Sequence, residues 1–312
     1  MIIREEAYNT FWYFAAERQN ILYNKIEGKD VLTEDEILST YKFCNAYRIL
    51  DRVSQYLLKN VIYNGKDYTD KDMIYRIILF KLFNKEDTWE YLENSLGNIT
   101  LSNFSLTKMD KLLQKYRNSG NTIYNDAYIS CANKAFGYDL KHQNHLALID
   151  KMFNKDKIDE KIVNANSFEE VFNILREYPL IGDFMAYQLA TDINYSEVID
   201  FSEDSFTIPG PGAIRGIKKC FESIGNMSYS DIIKYMYNNQ EKEFKRLGLN
   251  FRYLKNRKLQ LIDIQNLFCE TDKYLREKMP ELKTNRSKIK KKYVPKKAKI
   301  EYVFPPKWNM GL

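Results

Sequence analysis

Apolar side chains recur along this chain at intervals of three and four residues and almost never in long alternation, a periodicity that suits helices and leaves little material for a sheet. The first helix is predicted over residues 8–26, where Phe11, Phe14 or Ala15, Arg18, Leu22 and Ile26 fall at helical spacing and the region of Gly28 ends the run. Thr33-Glu34-Asp35-Glu36 reads as a capping box, whose hydroxyl and carboxylate can satisfy the amides of a long aromatic helix predicted to reach residue 58. Asn64-Gly65 makes a turn, Thr69 caps a helix to residue 83, and shorter helices are predicted over 89–96, 106–116, 125–136 and 145–153. A second capping box, Ser167-Phe168-Glu169-Glu170, opens a helix that stops before Pro179, because proline disfavours helical geometry in the residue ahead of it. Helices from Asp183, Ala213, Tyr229 and Leu261 complete an all-α fold, and no internal repeat is present.

At 312 residues the chain can bury a core without disulfides or metal. The expected organisation is a helical domain over 1–282, either single or as two lobes (1–155 and 156–282) around a cleft, followed by a basic tail over 283–312. Charge locates that tail. Nine Lys or Arg and no acid lie between Lys283 and Lys299; removing those nine from the total of 48 leaves 39 basic against 42 acidic residues. The run containing Lys288, Lys290, Lys291, Lys292, Lys296 and Lys297 suits phosphate-backbone contact. Cys44, Cys131, Cys220 and Cys269 are scattered without a CxxC pair, and His142 and His145 are the only histidines, so neither a metal nor a cofactor is expected. The start, MIIREEAYNTFWYF, has no apolar leader core and no stretch reaches the roughly 18 apolar residues of a membrane span. The expectation is a protein that is not secreted, cytoplasmic in a bacterium or nuclear in a eukaryote.

Two regions carry candidate chemistry. Tyr178-Pro179-Leu180-Ile181-Gly182-Asp183 reads as a helix-hairpin-helix turn, where Gly182 would present amides to a DNA phosphate. Downstream of that turn, at the distance found in base-excising glycosylases of this architecture, stand Asp200 and Asp204. Asp204 is preferred as the catalytic carboxylate, with Glu203 beside it and Asp192 as a rival on the hairpin helix. The Pro209-Gly210-Pro211-Gly212 loop, with Gly210, Gly212, Arg215 and Lys218, is the phosphate-binding candidate, its glycines permitting close approach. The second region is a polar stripe on the helix from Leu261: Asp263, Gln265, Asn266, Glu270 and Lys273, joined by Gln188, make the candidate base pocket.

Six blocks, FWYFAAERQNI, YKFCNAYRILDRVSQYL, IGDFMAYQLATDINYS, GPGAIRGIKKC, DIQNLFCETDKY and FPPKW, together resemble the alpha-glutamyl/putrescinyl thymine pyrophosphorylase family, also described as the helical domain associated with hydroxymethyluracil DNA kinases. The resemblance implies a DNA-glycosylase-like helical fold and action on hypermodified bases in DNA of the kind bacterial viruses carry. No G-x-x-x-x-G-K-[ST] loop occurs, so the chain is not expected to phosphorylate DNA itself. The leading expectation is a monofunctional glycosylase that excises a hypermodified pyrimidine from double-stranded DNA in antiviral defence, without a Schiff-base lyase step because Asp183-Phe184-Met185 follows Gly182. An amine:DNA transferase that builds a hypermodified thymine and a non-catalytic reader of modified bases remain as alternatives.

Overall fold

The structure is a computed structural model that describes residues 1–125, 130–255, 257–282, 284–286, 288, 289, 291–294 and 301–310. A short strand β1 (Ile2–Ile3) precedes α1 (Glu5–Ile26), whose first turn carries Glu5 and Glu6 and whose last turn carries Lys25, in keeping with the helix dipole. Asp35 caps α2 (Glu36–Thr40) by accepting the Leu38 amide at 2.8 Å. The long helix expected from here to residue 58 does not form. The backbone continues non-helical through 41–47, makes a 3₁₀ turn at Arg48–Leu50, and only then enters α3 (Arg52–Tyr56) and a π-helical turn, Leu57–Ile62. The amides of Cys44, Asn45 and Arg48 donate instead to carboxylates of Glu270, Asp51 and Asp263, at 2.9, 2.8 and 2.7 Å. Charge-assisted bonds to side chains have displaced the helical ladder.

Thr69 caps α4 (Asp70–Phe83), accepting the Asp72 amide at 3.1 Å. There follow α5 (Glu86–Leu96), α6 (Leu106–Asn118) and α7 (Lys141–Asp150), the last running on into a π turn at Lys151–Lys155. Of the helix expected over 125–136, residues 126–129 lie outside the described residues and 130–136 are not helical. After α8 (Ile158–Val163), Ser167 caps α9 (Phe168–Arg176), accepting the Glu170 amide at 3.1 Å, and α10 (Asp183–Asn194) follows the proline turn. Then come α11 (Pro211–Cys220), β2 (Phe221–Ser223), α12 (Tyr229–Arg246) and α13 (Leu261–Lys278). The fold is mostly helical, as the periodicity indicates. The one sheet among the described residues is the antiparallel pairing of β1 with β2, too short for alternation to have signalled it.

The chain divides into two compact units: residues 1–51, 206–304 and 310–312 form the first, and 52–205 with 305–309 the second. A lobe boundary at 155/156 would fall inside the second unit. In the first, α11 packs along α13, while Phe11, Trp12 and Phe14 of α1 meet Phe268, Phe244 and Tyr274 at ring-centroid separations of 4.5, 5.1 and 5.5 Å. In the second, α4 is buried on every side from Ile74 to Phe83. Its Arg76, fully enclosed, donates to the carbonyls of Val61 and Ile99 and lies 4.0 Å over the Tyr68 ring. Near the C-terminus Lys307 donates to the carbonyls of Ser196 and Ile199 at 2.8 and 2.7 Å, and Trp308 meets Tyr195 edge-on, which fastens the loop after α10.

The described lysines at 291 and 292 of the basic tail lie in the first unit. Lys292 bridges to Tyr41, the Lys42 amide donates to Lys291, and the Tyr293 amide donates to Thr40. Lys290, Lys296 and Lys297 lie outside the described residues. No helix among the described residues is long and apolar enough to cross a membrane.

Candidate functional site

The polar stripe of α13 is partnered, with Asp263, Gln265 and Glu270 buried and Asn266 and Lys273 half-buried. Asp263 accepts from the amides of Arg48 and Gln260, at 2.7 and 2.9 Å, and so ties the start of α13 to the 3₁₀ turn. Gln265 accepts the Gly210 amide at 3.2 Å and donates to Asn266 at 2.7 Å. Glu270 accepts the Cys44 amide at 2.9 Å and the Lys273 ammonium at 2.6 Å. Of the residues assigned to the base pocket, Glu270 and Lys273 thus meet, while Asp263 and Gln265 hold neighbouring backbone; Gln188 is fully buried on α10 in the other unit.

Around Glu270 the first unit assembles a cluster of charge. Arg18 reaches from α1, donating to the Cys44 carbonyl at 2.9 Å and to Asn45 Oδ1 at 3.0 Å. Asn45 in turn donates its amide to Asp51. Lys273 Nζ sits 4.6 Å over the Phe43 ring. Burial, with repulsion from Glu270, pushes the Asp51 carboxyl up to about 6, against the opposing pull of the Asn45 amide and the Arg18 charge. Burial also works against charge on Lys273, yet the Glu270 carboxylate outweighs it and holds the ammonium above its ordinary range. The thiols of Cys44 and Cys269 are pushed up by the same desolvation, Cys269 to about 12, so both stay protonated and neither serves as a thiolate nucleophile. The two carboxylates and two cations gathered here balance in charge, and Asp51, with its raised pKa, is the member poised to take up a proton. Tyr302 and Tyr293 from the basic C-terminal stretch act electrostatically on the same Asp51–Arg18 group.

Arg18, Cys44, Asn45 and Asp51 were not singled out by motif spacing, although all four lie within the first two blocks that carry the family resemblance. What hid them is that the 41–51 segment reads as helix, which would turn Asn45 away from Asp51.

The remaining sequence candidates separate. Asp204 is exposed and accepts from the Ser202 hydroxyl, and Glu203 is half-buried beside it. Asp192 is fully buried and pairs with buried Lys81 at 2.9 Å. These three and Gly182, the N-cap residue of α10, belong to the second unit, whereas the 209–212 loop belongs to the first. The first turn of α10 carries Asp183, ion-paired with Arg176. Gly210 caps α11, but Gly212 and Gly216 face α13: a Cβ on Gly212 would overlap Cys269 Sγ, and one on Gly216 would overlap the Phe268 carbonyl. Here the glycines are needed for helix-to-helix approach. Arg215 pairs with buried Asp272 at 3.0 Å, alongside Lys219 and Arg276, and Lys218 is exposed in the last turn of α11. Neither ring nitrogen of His145 is open, since Tyr124 and the Cys131 carbonyl occupy them, and His142 bonds Asp110. No group of three or more His, Cys, Asp or Glu among the described residues is placed to hold a metal.

Residues 5–284 match the family model of the 5-hmdU DNA kinase helical domain. The chain belongs to this family. A 5-hmdU DNA kinase of Bacillus phage SP10 is 31% identical over 293 residues, which cover 86% of this chain and 45% of the relative, so the chain spans less than half the length of the curated protein it matches. No solved structure matches it. These findings overturn the glycosylase expectation. The family model and the relative both carry the name of a kinase, a phosphoryl transferase, and not of an enzyme that hydrolyses N-glycosyl bonds; the amine transferase and the reader without turnover agree with neither. The match is to a helical domain, and the chain's own sequence contains no P-loop.

Proposed function

We propose that this chain works in the phosphorylation of 5-hydroxymethyl-deoxyuridine in DNA, supplying the part of the enzyme that engages the DNA and its hydroxymethyl group. Membership of the 5-hmdU DNA kinase helical-domain family carries the reading. An arrangement suited to it supports the reading: exposed Lys42, Lys291 and Lys292 lie on or beside the strand-like contact at Tyr41, with exposed Lys288 a few residues before them in the chain. Lysines there would hold phosphate backbone. The C5 substituent of a thymine-like base projects into the major groove, where a side chain can reach it from the duplex surface. Phosphoryl transfer itself depends mainly on positioning and electrostatic stabilisation, and the nucleoside triphosphate would be held by a segment other than a P-loop of this chain, since its sequence contains none.

The test pairs binding with turnover. Duplexes that differ only in 5-hmdU or thymine at one position are titrated with the purified chain. The same duplexes are then incubated with ATP and Mg²⁺, with the chain alone and with the portion of the SP10 kinase outside the matched region. Tighter binding to the 5-hmdU duplex and phosphate on that nucleoside alone are expected. Equal affinity for both duplexes, with no phosphate transfer in either mixture, overturns the proposal.

A further inference from the structure

We infer that Asp51 is the catalytic base of this chain, accepting a hydrogen bond from the 5-hydroxymethyl group of 5-hmdU and taking its proton as phosphate is transferred. The inference deepens the kinase reading and rests on it. Four observations single out Asp51 from the carboxylates around it. Glu270 already accepts from the Cys44 amide and the Lys273 ammonium, whereas among the described residues no ammonium or guanidinium lies within ion-pair distance of Asp51. One Asp51 oxygen is fixed by the Asn45 amide at 2.8 Å, which orients the carboxylate. The residue is half-buried and so keeps an accessible edge, beside a tail whose lysines are exposed. Finally, the groups that face it are Arg18 from α1, Cys44 from its own loop, Glu270 from α13 and Tyr302 from the C-terminal stretch. Burial, with Glu270, raises its proton affinity while the Asn45 amide, Arg18 and Cys44 oppose the rise, so it stays ionised at neutral pH with a pKa of about 6, the balance a general base requires.

The step balances. The hydroxymethyl oxygen bonds to the terminal phosphorus of a nucleoside triphosphate as the bridging P–O bond breaks and the diphosphate leaves; the O–H proton passes to Asp51 and then to water.

The experiment compares wild type, Asp51→Asn and Asp51→Glu for affinity to the 5-hmdU and thymine duplexes and for phosphate transfer in the reconstituted mixture, with thermal unfolding of each protein. Asp51→Asn should fold normally, bind the thymine duplex as wild type does, lose preference for 5-hmdU by about 10-fold or more, and slow transfer on the order of 100-fold. Asp51→Glu should regain part of the transfer rate, because the carboxylate returns at a shifted position. A wild-type chain that prefers 5-hmdU alongside an Asp51→Asn chain with the same preference and rate overturns the role of Asp51 and spares the kinase reading. Loss of affinity for both duplexes together with a lowered unfolding temperature would show a structural role and overturn it likewise. A wild-type chain with no preference and no transfer overturns the reading and the inference together.

Discussion

Replacing Gly216 by alanine sets two opposed effects against each other. In a helix interior alanine is favoured over glycine by roughly 1 kcal/mol, so propensity alone predicts stabilisation. The packing predicts the reverse. A Cβ at 216 would stand 2.7 Å from the Phe268 carbonyl carbon and 3.1 Å from its Cα, both main-chain atoms of α13. Ordinary carbon contacts lie near 3.5–4.0 Å and the Phe268 carbonyl oxygen is closer still, so the helices would have to part by at least roughly 1 Å along a contact that is central to the first unit. Forcing extra volume into a packed site costs about 1–3 kcal/mol, and an unyielding backbone places this case at the upper end. The net loss is about 2 kcal/mol after the propensity gain, or roughly 4–8 °C in unfolding temperature for a unit of this size. Gly212→Ala is the internal control. There the overlap is with the Cys269 side chain, while the nearest main-chain atom is 3.5 Å away, so rotation of one thiol relieves most of the strain and the loss should stay within about 1 kcal/mol. Urea unfolding followed by circular dichroism gives both values from the midpoint shift at constant slope. A Gly216→Ala chain as stable as wild type, or a Gly212→Ala chain that is the weaker of the two, would refute the packing argument.

Asp272→Asn should be among the most destabilising single changes in the first unit, by about 3–5 kcal/mol, because Arg215, Lys219 and Arg276 all converge on that buried carboxylate. Burial alone would raise its pKa, but Arg276, Lys219 and Arg215 hold it below the ordinary aspartate value of 3.8; its stabilisation is present above that value and is lost as pH falls below it, which acid titration of wild type against Asp272→Asn will show. Asp51 behaves oppositely: with its pKa raised to about 6, the folded state favours the protonated acid and stability declines as pH rises through 6. Asp51→Asn should therefore unfold at the same or a higher temperature than wild type at pH 8 and lose that advantage toward pH 4, and a variant less stable at pH 8 contradicts the sign. In the second unit Asp192→Asn should cost about 3–5 kcal/mol by stranding Lys81, while the paired change Lys81→Met with Asp192→Leu recovers most of it in a double-mutant cycle. Neutralising Lys288, Lys291 and Lys292 should weaken binding to all duplexes alike and shallow the salt dependence by up to about 0.9 per lysine; an unchanged slope would place those lysines off the DNA.

The helical period and its punctuation were legible because they are local. Thr69 and Ser167 cap where a hydroxyl ahead of an apolar run says they should, and Pro179 ends α9 in the way its ring geometry dictates. The 41–62 segment was not legible, since its aromatic spacing is helical and the groups that unwind it, Glu270 and Asp263, lie more than 200 residues along the chain from the amides they capture. The candidate site followed the same division. Glu270 and Lys273 share a face of one helix and could be grouped from spacing, but Asp51 and Arg18 join them only through that unwound segment. The chemistry was misread for a related reason. A distance along the sequence from the Gly182 turn to Asp204 says nothing about what the carboxylate faces.

The packing of α11 on α13 and the charge cluster are mechanically one arrangement. Gly216 lets α11 approach Phe268, and Phe268 lies two residues before Glu270 on the same helix. Glu270 holds the Cys44 amide at 2.9 Å and so keeps the 41–47 segment open; Arg18 and Asn45 then carry that conformation to Asp51. A shift of α13 by the roughly 1 Å or more that a methyl at 216 demands would carry a 2.9 Å hydrogen bond out of the range in which such bonds are strong. Gly216 therefore belongs to the site as the close approach that sets where its carboxylates stand.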